Sequence, residues 1–255
     1  MNAADLHHIQ SYLRIAAPRW RDHLHIGPFL ATFSRETDNR YLNYAIPDDD
    51  AQPSRADVAA LVAAYRERNR LPRLEYIPSI APAVEAELLA AGFSLEARTP
   101  LMVYGGGGET PAVAGIELVA PASEDEFVGA ATVQWEAYEE AGPVAQRAVD
   151  SLRRTVAAGG IVVLARHAAT CEPAGAGACT PPGGGASEFT SIGVRELYRR
   201  RGIAQAMTHW LATRMAARGV DCVFLMADSE REERIYARAG FETISDVLHI
   251  SLMNA

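Results

Sequence analysis

The chain has 255 residues, of which 49% are hydrophobic and 22% charged, and its formal net charge is −8. These totals are typical of a soluble globular protein with one large or two small domains. The acidic balance disfavours a general nucleic-acid binder, and no apolar run approaches the roughly 20 residues of a membrane-spanning helix. The N-terminal residues do not resemble a signal peptide and only three cysteines are present. We therefore expect a cytoplasmic protein without a disulfide framework.

A glycine-rich run at residues 105–108 separates two halves that carry similar segments 148 residues apart. Residues 85–93 parallel residues 233–241, and both segments end in Gly-Phe. The same offset places the strand-like residues 74–77 on residues 222–225. It also places Ser54, a predicted helix N-cap, on Gly202. We predict a repeat of domain size, with a first domain of residues 1–108 and a second domain of residues 109–255.

Hydrophobic periodicity and turn residues predict the elements of the second half. Strands are predicted at residues 116–119, 161–165, 174–179, 189–194, 223–227 and 245–252, and helices at about 123–141, 144–157, 203–218 and 229–238. The resulting order, βααβββαβαβ, has mixed strand connections. It predicts an α/β (α+β) fold with a central mixed β-sheet flanked by helices, and the repeat extends this architecture to the first half.

The turn before the helix at 203–218 has the chemistry of a diphosphate site. Arg199, Arg200 and Arg201 precede Gly202, which stands at the start of the helix. A helix N-terminus offers unpaired N–H groups and the positive end of the macrodipole. Glycine allows close approach of the backbone, and arginine pairs with phosphate oxygens. The alternative is a capped helix start with solvated arginines.

The first half lacks these features at the corresponding positions. Opposite residues 199–201 it carries Ala51, Gln52 and Pro53, preceded by three aspartates at 48–50. Carboxylates repel a phosphate ligand electrostatically. We interpret the first half as a degenerate copy of the architecture that supports the second half or completes its substrate cleft.

The segment from Arg199 to Ala204, Arg-x-x-Gly-x-Ala, resembles the signature Arg/Gln-x-x-Gly-x-Gly/Ala of the GNAT acetyltransferase superfamily. The order of elements and residues 234–241, which contain Tyr236, are also similar to that family. The resemblance covers about residues 115–252 by motifs and about residues 20–104 by the weaker repeat. It implies two tandem GNAT-like domains, the first degenerate and the second catalytic, with acetyl-CoA as co-substrate.

The resemblance implies a cofactor site built from one strand and one loop. The strand backbone would pair with the pantetheine arm, and an N–H near Gly193 or Val194 would stabilise the oxyanion. The loop would bind the diphosphate, and the small residues would allow its close approach. For the strand side chains, an ordinary core position is the alternative. The implied cofactor-binding residues are Ile192, Gly193, Val194, Arg199, Arg200, Arg201, Gly202, Ile203, Ala204 and Gln205.

Two residues match catalytic positions of the family. Tyr236 matches a general acid that protonates the leaving thiolate, which suits a phenol because its ordinary pKa near 10 keeps it protonated at neutral pH. The alternative is a tyrosine that packs against the sheet. Glu188 stands 14 residues before Gly202, the spacing of a base glutamate in the histone-acetylating branch. A solvated glutamate, with a water chain as base, is equally consistent.

Trp135, Tyr138 and Glu139, with Gln134 and Glu140 beside them, lie where the family builds its acceptor site. Carboxylates there would favour a cationic amine, and aromatic rings could add a cation–π wall. Trp135 could equally belong to the core, and the glutamates to a solvated helix end. The expected acceptor is a small-molecule or peptide amine, and we expect no nucleic-acid or membrane partner. The oligomeric state stays open between a monomer and a homodimer.

No metal is expected, because the histidines at 7, 8, 23 and 25 lack cysteine or carboxylate partners at metal-like spacing. The sequence therefore predicts an acetyl-CoA-dependent N-acetyltransferase that works by direct attack in a ternary complex. One alternative is a non-catalytic acyl-CoA-binding sensor or partner-binding module. Another is an acyltransferase that uses a longer acyl group or an alcohol acceptor.

Overall fold

The computed structural model describes residues 3–106, 110–138 and 142–253. It divides into two compact units: Met1–Leu101 together with Ile244–Ala255, and Met102–Thr243. The predicted division at residues 108 and 109 follows chain order, so it assigns the whole C-terminal strand to the second domain. In the structure most of that strand belongs to the first unit, because it pairs with a strand there from Leu248↔Tyr76 to Ser251↔Arg73. No motif in the sequence predicts this pairing, because the two strands lie far apart along the chain.

The elements of the first unit are α1 (Ala3–Ala16), β1 (Asp22–Ile26), β2 (Phe29–Phe33), β3 (Ala45–Pro47), α2 (Arg55–Arg66), β4 (Arg73–Tyr76), α3 (Val84–Ala90), β5 (Ser94–Tyr104, the last three residues in the second unit) and most of β11 (Phe241–Ser251). Its sheet is mixed, with the strand order β1-β2-β3-β4-β11-β5. The pairs β1–β2, β2–β3 and β4–β11 are antiparallel, whereas β3–β4 is parallel. Helix α2 begins at a capping box formed by Ser54 and Asp57, which confirms the predicted N-cap.

The second half of the chain follows the predicted order βααβββαβαβ, although its last strand, β11, lies mostly in the first unit. The elements of the second unit are β6 (Ile116–Val119), α4 (Glu124–Ala137), α5 (Gln146–Ala157), β7 (Ile161–His167), β8 (Pro173–Cys179), β9 (Ala186–Val194), α6 (Ile203–Ala216), β10 (Cys222–Met226) and α7 (Glu230–Arg238). These strands lie in the order β10-β9-β8-β7-β6, and only the β9–β10 pair is parallel among them.

Helices cover both faces of the second unit's sheet. On one face, Val163, Phe189 and Val223 pack with Ile203 and Met207 of α6. On the other face, short side chains of β8 pack with α4 and α5. Strand β7 is buried on both faces, which explains its unbroken apolar run from residue 161 to residue 165. Among the residues described, no helix combines the length and apolar character needed to cross a bilayer.

Candidate active site

Strands β9 and β10 part from each other in the middle of the second unit's sheet. Their parallel ladder runs from Ala186↔Cys222 to Glu188↔Phe224. Within the described residues the ladder ends at that pair, although β9 continues to Val194 and β10 to Met226. Beyond it, the edge of β9 that faces β10 is left without a strand partner, and a gap opens between the two strands.

A β-bulge shapes the part of β9 that borders this gap. Thr190 pairs with Ala178 and Gly193 pairs with Ala176, so two residues of β9 stand opposite Gly177 alone. Ser191, in the bulge, has a left-handed φ of 57°. The Gln134 side-chain amide of α4 donates to the Ser191 carbonyl at 3.0 Å, which fixes the bulge against the helix.

The bulge is followed by a backbone N–H that faces the gap. The Arg195 N–H donates to the Ala174 carbonyl at 2.9 Å, toward β8. Because successive residues of an antiparallel strand alternate between the two sides, the Val194 N–H faces away from β8.

Helix α4 packs closely on the same segment of β9. A Cβ added at Gly193 would lie 2.6 Å from the Ala137 Cβ. Glycine therefore allows α4 to pack directly on this segment.

Helix α6 begins beside the gap without a side-chain cap. Gly202 is its N-cap residue, with φ 81° and ψ 5°, and no side chain caps the first turn. Arg200 also has a left-handed φ of 65°, so two left-handed residues form the turn. The side chain of Ile203 is buried in the core, and only its backbone can serve a ligand. The first turn thus offers free N–H groups to an anion.

The β9 edge, the α6 N-terminus and helix α7 border one cleft of about 640 Å³. Nine of the predicted cofactor-binding residues line it, and Arg201 does not. The Arg201 guanidinium instead donates to the Leu197 carbonyl at 3.2 Å and stacks over the Tyr198 ring at 5.3 Å. The lining residues are Ala137, Ile192, Gly193, Val194, Tyr198, Arg199, Arg200, Gly202, Ile203, Ala204, Gln205, Ser229, Arg231, Glu232, Arg234, Ile235, Tyr236 and Arg238.

Among the predicted cofactor-binding residues that line the cleft, two have side chains with hydrogen-bond partners in the fold. The Arg199 Nε donates to the Val194 carbonyl at 3.1 Å. The Gln205 amide donates to the Arg238 carbonyl at 3.0 Å, which joins the first turn of α6 to the end of α7. Both contacts help to shape the cleft, and each side chain keeps further N–H groups for a ligand.

Tyr236 lies at the cleft and also packs against the core, and its assignment as the general acid stays a prediction. It lines the cleft, and its half-buried ring packs 6.4 Å from the Phe241 ring. Burial raises the pKa of Tyr236 above its ordinary value, and the nearby Glu232, Tyr138 and Asp228 raise it further. The phenol is therefore protonated at neutral pH and can donate a proton.

Glu188 lies away from the cleft. It is half-buried at the last pair of the β9–β10 ladder and is not among the described residues that line the cleft. Ile192 lies four positions further along β9, which is at most about 13 Å of strand. The assignment of Glu188 as a base remains a prediction.

The predicted acceptor residues lie around the end of α4. The Trp135 Nε1 donates to the Gly142 carbonyl at 3.0 Å, and its ring lies 5.6 Å from the Arg147 guanidinium. Trp135 thereby anchors its own loop and does not line the cleft. Tyr138 is 55% exposed, yet desolvation of its hydroxyl, followed by the Asp228 and Glu232 carboxylates, raises its pKa. Glu139 and Glu140 lie outside the described residues.

Glu232 and Asp228 are two acidic residues at the cleft that the sequence patterns did not single out as part of the site. Glu232 lines the cleft and accepts a hydrogen bond from the Asp228 N–H at 3.0 Å. Burial raises the pKa of Glu232, and the Asp228 charge opposes its ionisation further. The i, i+4 spacing of Glu232 and Tyr236 places both on one face of α7. In the sequence, this spacing is the signal that could have pointed to the pair, but it is equally typical of an ordinary solvated helix.

The corresponding region of the first unit is closed. Counting from the parallel pair Ala45↔Leu74, the N-cap Ser54 is nine residues further on. In the second unit the interval from Ala186 to the N-cap Gly202 is 16 residues. Relative to the second unit, the first unit therefore lacks seven residues of strand and turn. The constant offset of 148 residues between the two halves holds only from residue 54 onward, so it does not reveal this difference in length.

A buried glutamine bridges the two strand ends in the first unit. The fully buried Gln10 of α1 donates to the Pro47 carbonyl at 3.2 Å and accepts from the Ile77 N–H at 3.0 Å. Pro47 ends β3 and Ile77 follows β4, so this amide fills the position at which the second unit opens. The capping box of Ser54 also satisfies the Asp57 N–H in the first turn of α2. The strand ends and the helix N-terminus of the first unit therefore already have side-chain partners, unlike those of the second unit.

Comparison with known proteins finds a family match in the second half of the chain. Residues 124–241 match the acetyltransferase (GNAT) family. The chain contains a GNAT acetyltransferase domain. The match extends from the start of α4 to the start of β11, and it includes both Gly202 and Tyr236. No curated protein matches the chain.

Solved structures extend the GNAT likeness to the fold of both halves. A GCN5-related N-acetyltransferase from Kribbella flavida is 22% identical, with a TM-score of 0.80 over 98% of this chain and 96% of its own. One from Sphaerobacter thermophilus is 17% identical, with a TM-score of 0.61 over 98% and 93%. A tandem GNAT protein from the clavulanic acid biosynthesis pathway is 16% identical, with a TM-score of 0.63 over 88% and 77%. The predicted fold class is confirmed.

The raised pKa of Tyr236 is testable by ultraviolet titration of the phenolate. Because burial and carboxylates favour the neutral phenol, Tyr236 should ionise above the ordinary value of about 10. Wild-type and Tyr236→Phe proteins should thus show the same phenolate absorbance up to pH ~10, with circular dichroism confirming that both stay folded.

The Glu232→Gln variant should bring the ionisation of Tyr236 to lower pH, because it removes a negative charge nearby. Glu230→Gln, on the same helix but 89% exposed, is the matched control and should leave the titration unchanged. Loss of one phenolate equivalent below pH ~10 in Tyr236→Phe would contradict the assigned shift.

Proposed function

We propose that the second domain transfers an acetyl group from acetyl-CoA to the amine of a small molecule or peptide, by direct attack in a ternary complex. The observation that carries the proposal is the meeting of three features in one cleft. These are the uncapped N-terminus of α6 at Gly202, the unpaired edge of β9 and the protonated phenol of Tyr236. The GNAT match covers all three.

The donor would bind with its diphosphate at the α6 N-terminus and its pantetheine arm along β9. N–H groups of the first turn, with the Arg200 guanidinium at the cleft wall, suit the diphosphate. The arm carries amides, and these can pair with strand backbone as an added strand does. Residues 192–194 border the cleft, so an arm bound there would extend the sheet into the gap beside β9.

The chemistry then needs an oxyanion donor and an acid. The amine nitrogen forms a bond to the thioester carbonyl carbon, and the Val194 N–H, which faces the gap, stabilises the oxyanion. The intermediate collapses as the carbon–sulfur bond breaks, and the Tyr236 hydroxyl gives its proton to the leaving thiolate. Before it attacks, the substrate ammonium gives one proton to a water chain or, through such a chain, to Glu188, which frees the nitrogen lone pair. The second N–H proton is lost as the amide forms, and it restores through solvent the proton that Tyr236 gave to the thiolate. Holding both reactants in one cleft removes the cost of a bimolecular encounter.

The first domain would not bind acetyl-CoA. Its strand ends are bridged by Gln10, its helix is capped by Ser54, and Asp49 of its aspartate run is held by Arg14 and His7. We propose that it is a GNAT-like domain retained for a role other than acyl-donor binding.

Substitution of Gly202 tests donor binding. Gly202→Glu places a carboxylate at the helix N-terminus and forces a side chain onto a φ of 81°. Isothermal titration should show binding of acetyl-CoA to the wild type and none to this variant. Gly219→Glu is the matched control, because Gly219 has a φ of 78° and open space around it beyond the end of α6. Unchanged binding in Gly202→Glu would reject the proposed diphosphate site.

Substitution of Tyr236 separates catalysis from binding. Tyr236→Phe keeps the packing but removes the proton donor, so kcat should fall about a hundredfold, while the acetyl-CoA Kd stays within about twofold. Tyr104→Phe, which removes a hydroxyl from a partly buried ring outside the cleft, should keep wild-type kcat.

Thiol release measured across a panel of amines supplies the rates for this comparison. Equal kcat in Tyr236→Phe and the wild type would reject the acid assignment. A wild type that binds acetyl-CoA but releases no thiol with any amine would instead support the non-catalytic sensor.

A further inference from the structure

The wall of the cleft is strongly basic in an acidic protein. Among the lining residues are one glutamate and five arginines, whereas the whole chain has a net charge of −8. Arg199 and Arg200 belong to the turn before α6 and suffice for a diphosphate. The other three, Arg231, Arg234 and Arg238, belong to α7 and have no role in the proposed reaction.

The three α7 arginines share one face of their helix. Their spacing of three and four residues places them in one row, whereas Glu232 and Tyr236 form a second row on a different face. The Arg238 carbonyl accepts the Gln205 amide at 3.0 Å. The C-terminal end of the arginine row therefore lies beside the first turn of α6, where the diphosphate is proposed to bind.

The arginine row is only weakly engaged within the fold. The Arg234 guanidinium lies 3.8 Å from the Glu230 carboxylate, and the two side chains are 66% and 89% exposed. Such an exposed ion pair contributes little to the stability of the fold. In the described part of the chain, neither Arg231 nor Arg238 forms a salt bridge. By contrast, Arg195 holds Glu136 at 2.7 Å and Arg166 holds Glu126 at 2.7 Å.

We infer that the α7 row of Arg231, Arg234 and Arg238 binds a second phosphate of the acyl donor, the 3′-phosphate on the ribose of CoA, and so selects 3′-phosphorylated donors. The inference rests on the proposed function of the cleft. A phosphate monoester carries a charge between −1.5 and −2 near neutral pH and accepts several charge-assisted hydrogen bonds. The ribose connects that group directly to the diphosphate, as the arginine row adjoins the diphosphate turn.

Isothermal titration with CoA and with 3′-dephospho-CoA tests the inference on the full chain. The wild type should bind CoA at least about tenfold more tightly, the effect of one or two charge-assisted bonds. The triple variant Arg231→Gln, Arg234→Gln, Arg238→Gln should bind both ligands with equal affinity. Its affinity for 3′-dephospho-CoA should stay within about twofold of the wild type, which also shows that the variant is folded.

Two controls separate the row from the diphosphate turn and from general charge effects. Arg200→Gln should weaken the binding of both ligands by the same factor, because the diphosphate is common to them. Arg154→Gln, on an exposed part of α5, should change neither affinity. Single variants at 231, 234 and 238 then show how the discrimination is divided within the row.

The outcomes distinguish this inference from the proposed function. Equal wild-type affinities for CoA and 3′-dephospho-CoA would overturn the inference and leave the proposed function standing. Discrimination that persists in the triple variant would likewise overturn it. If the wild type binds neither ligand, the proposed function itself fails.

Discussion

The separation of β9 from β10 after the pair Glu188↔Phe224 is the feature on which the rest of the cleft depends. A strand that leaves its ladder exposes N–H and C=O groups, and these need partners. The protein supplies some of them: Gln134 bonds the Ser191 carbonyl and Arg199 bonds the Val194 carbonyl. The remaining groups, with the Val194 N–H among them, face the cleft. An acyl donor whose arm carries amides would complete the sheet, which couples cofactor binding to the main structural irregularity of the domain.

The two domains show how one architecture can keep or lose such a site. Both have a parallel strand pair followed by a helix, yet the first lacks seven residues between its strand pair and its helix. Gln10 fills the resulting position with two hydrogen bonds, and Ser54 caps the helix that α6 leaves uncapped. A bridged strand pair and a capped helix terminus stabilise the fold, and they leave fewer backbone groups for a ligand to complete.

Much of the fold and of the cleft could be predicted from local sequence patterns. The order of elements in the second half, the capping box at Ser54 and the turn at Gly202 all follow from short-range rules of periodicity, capping and glycine geometry. Most of the features that the sequence did not predict depend on contacts between residues far apart in the chain. Gln10 contacts residues 37 and 67 positions away, and β11 pairs with β4 from the opposite end of the chain. The bulge at Ser191 and the turning of Arg201 onto Tyr198 depend on packing that no spacing rule encodes.

Hydrogen exchange of backbone amides, with and without acetyl-CoA, tests the central claim most directly, because it reads the opened strand and the closed one in a single experiment. If the donor completes the opened strand, exchange should slow in peptides that cover residues 190–206, and it should not change in those that cover residues 44–57 of the first domain. Unchanged exchange at 190–206 under saturating acetyl-CoA, or equal slowing in both segments, would contradict it.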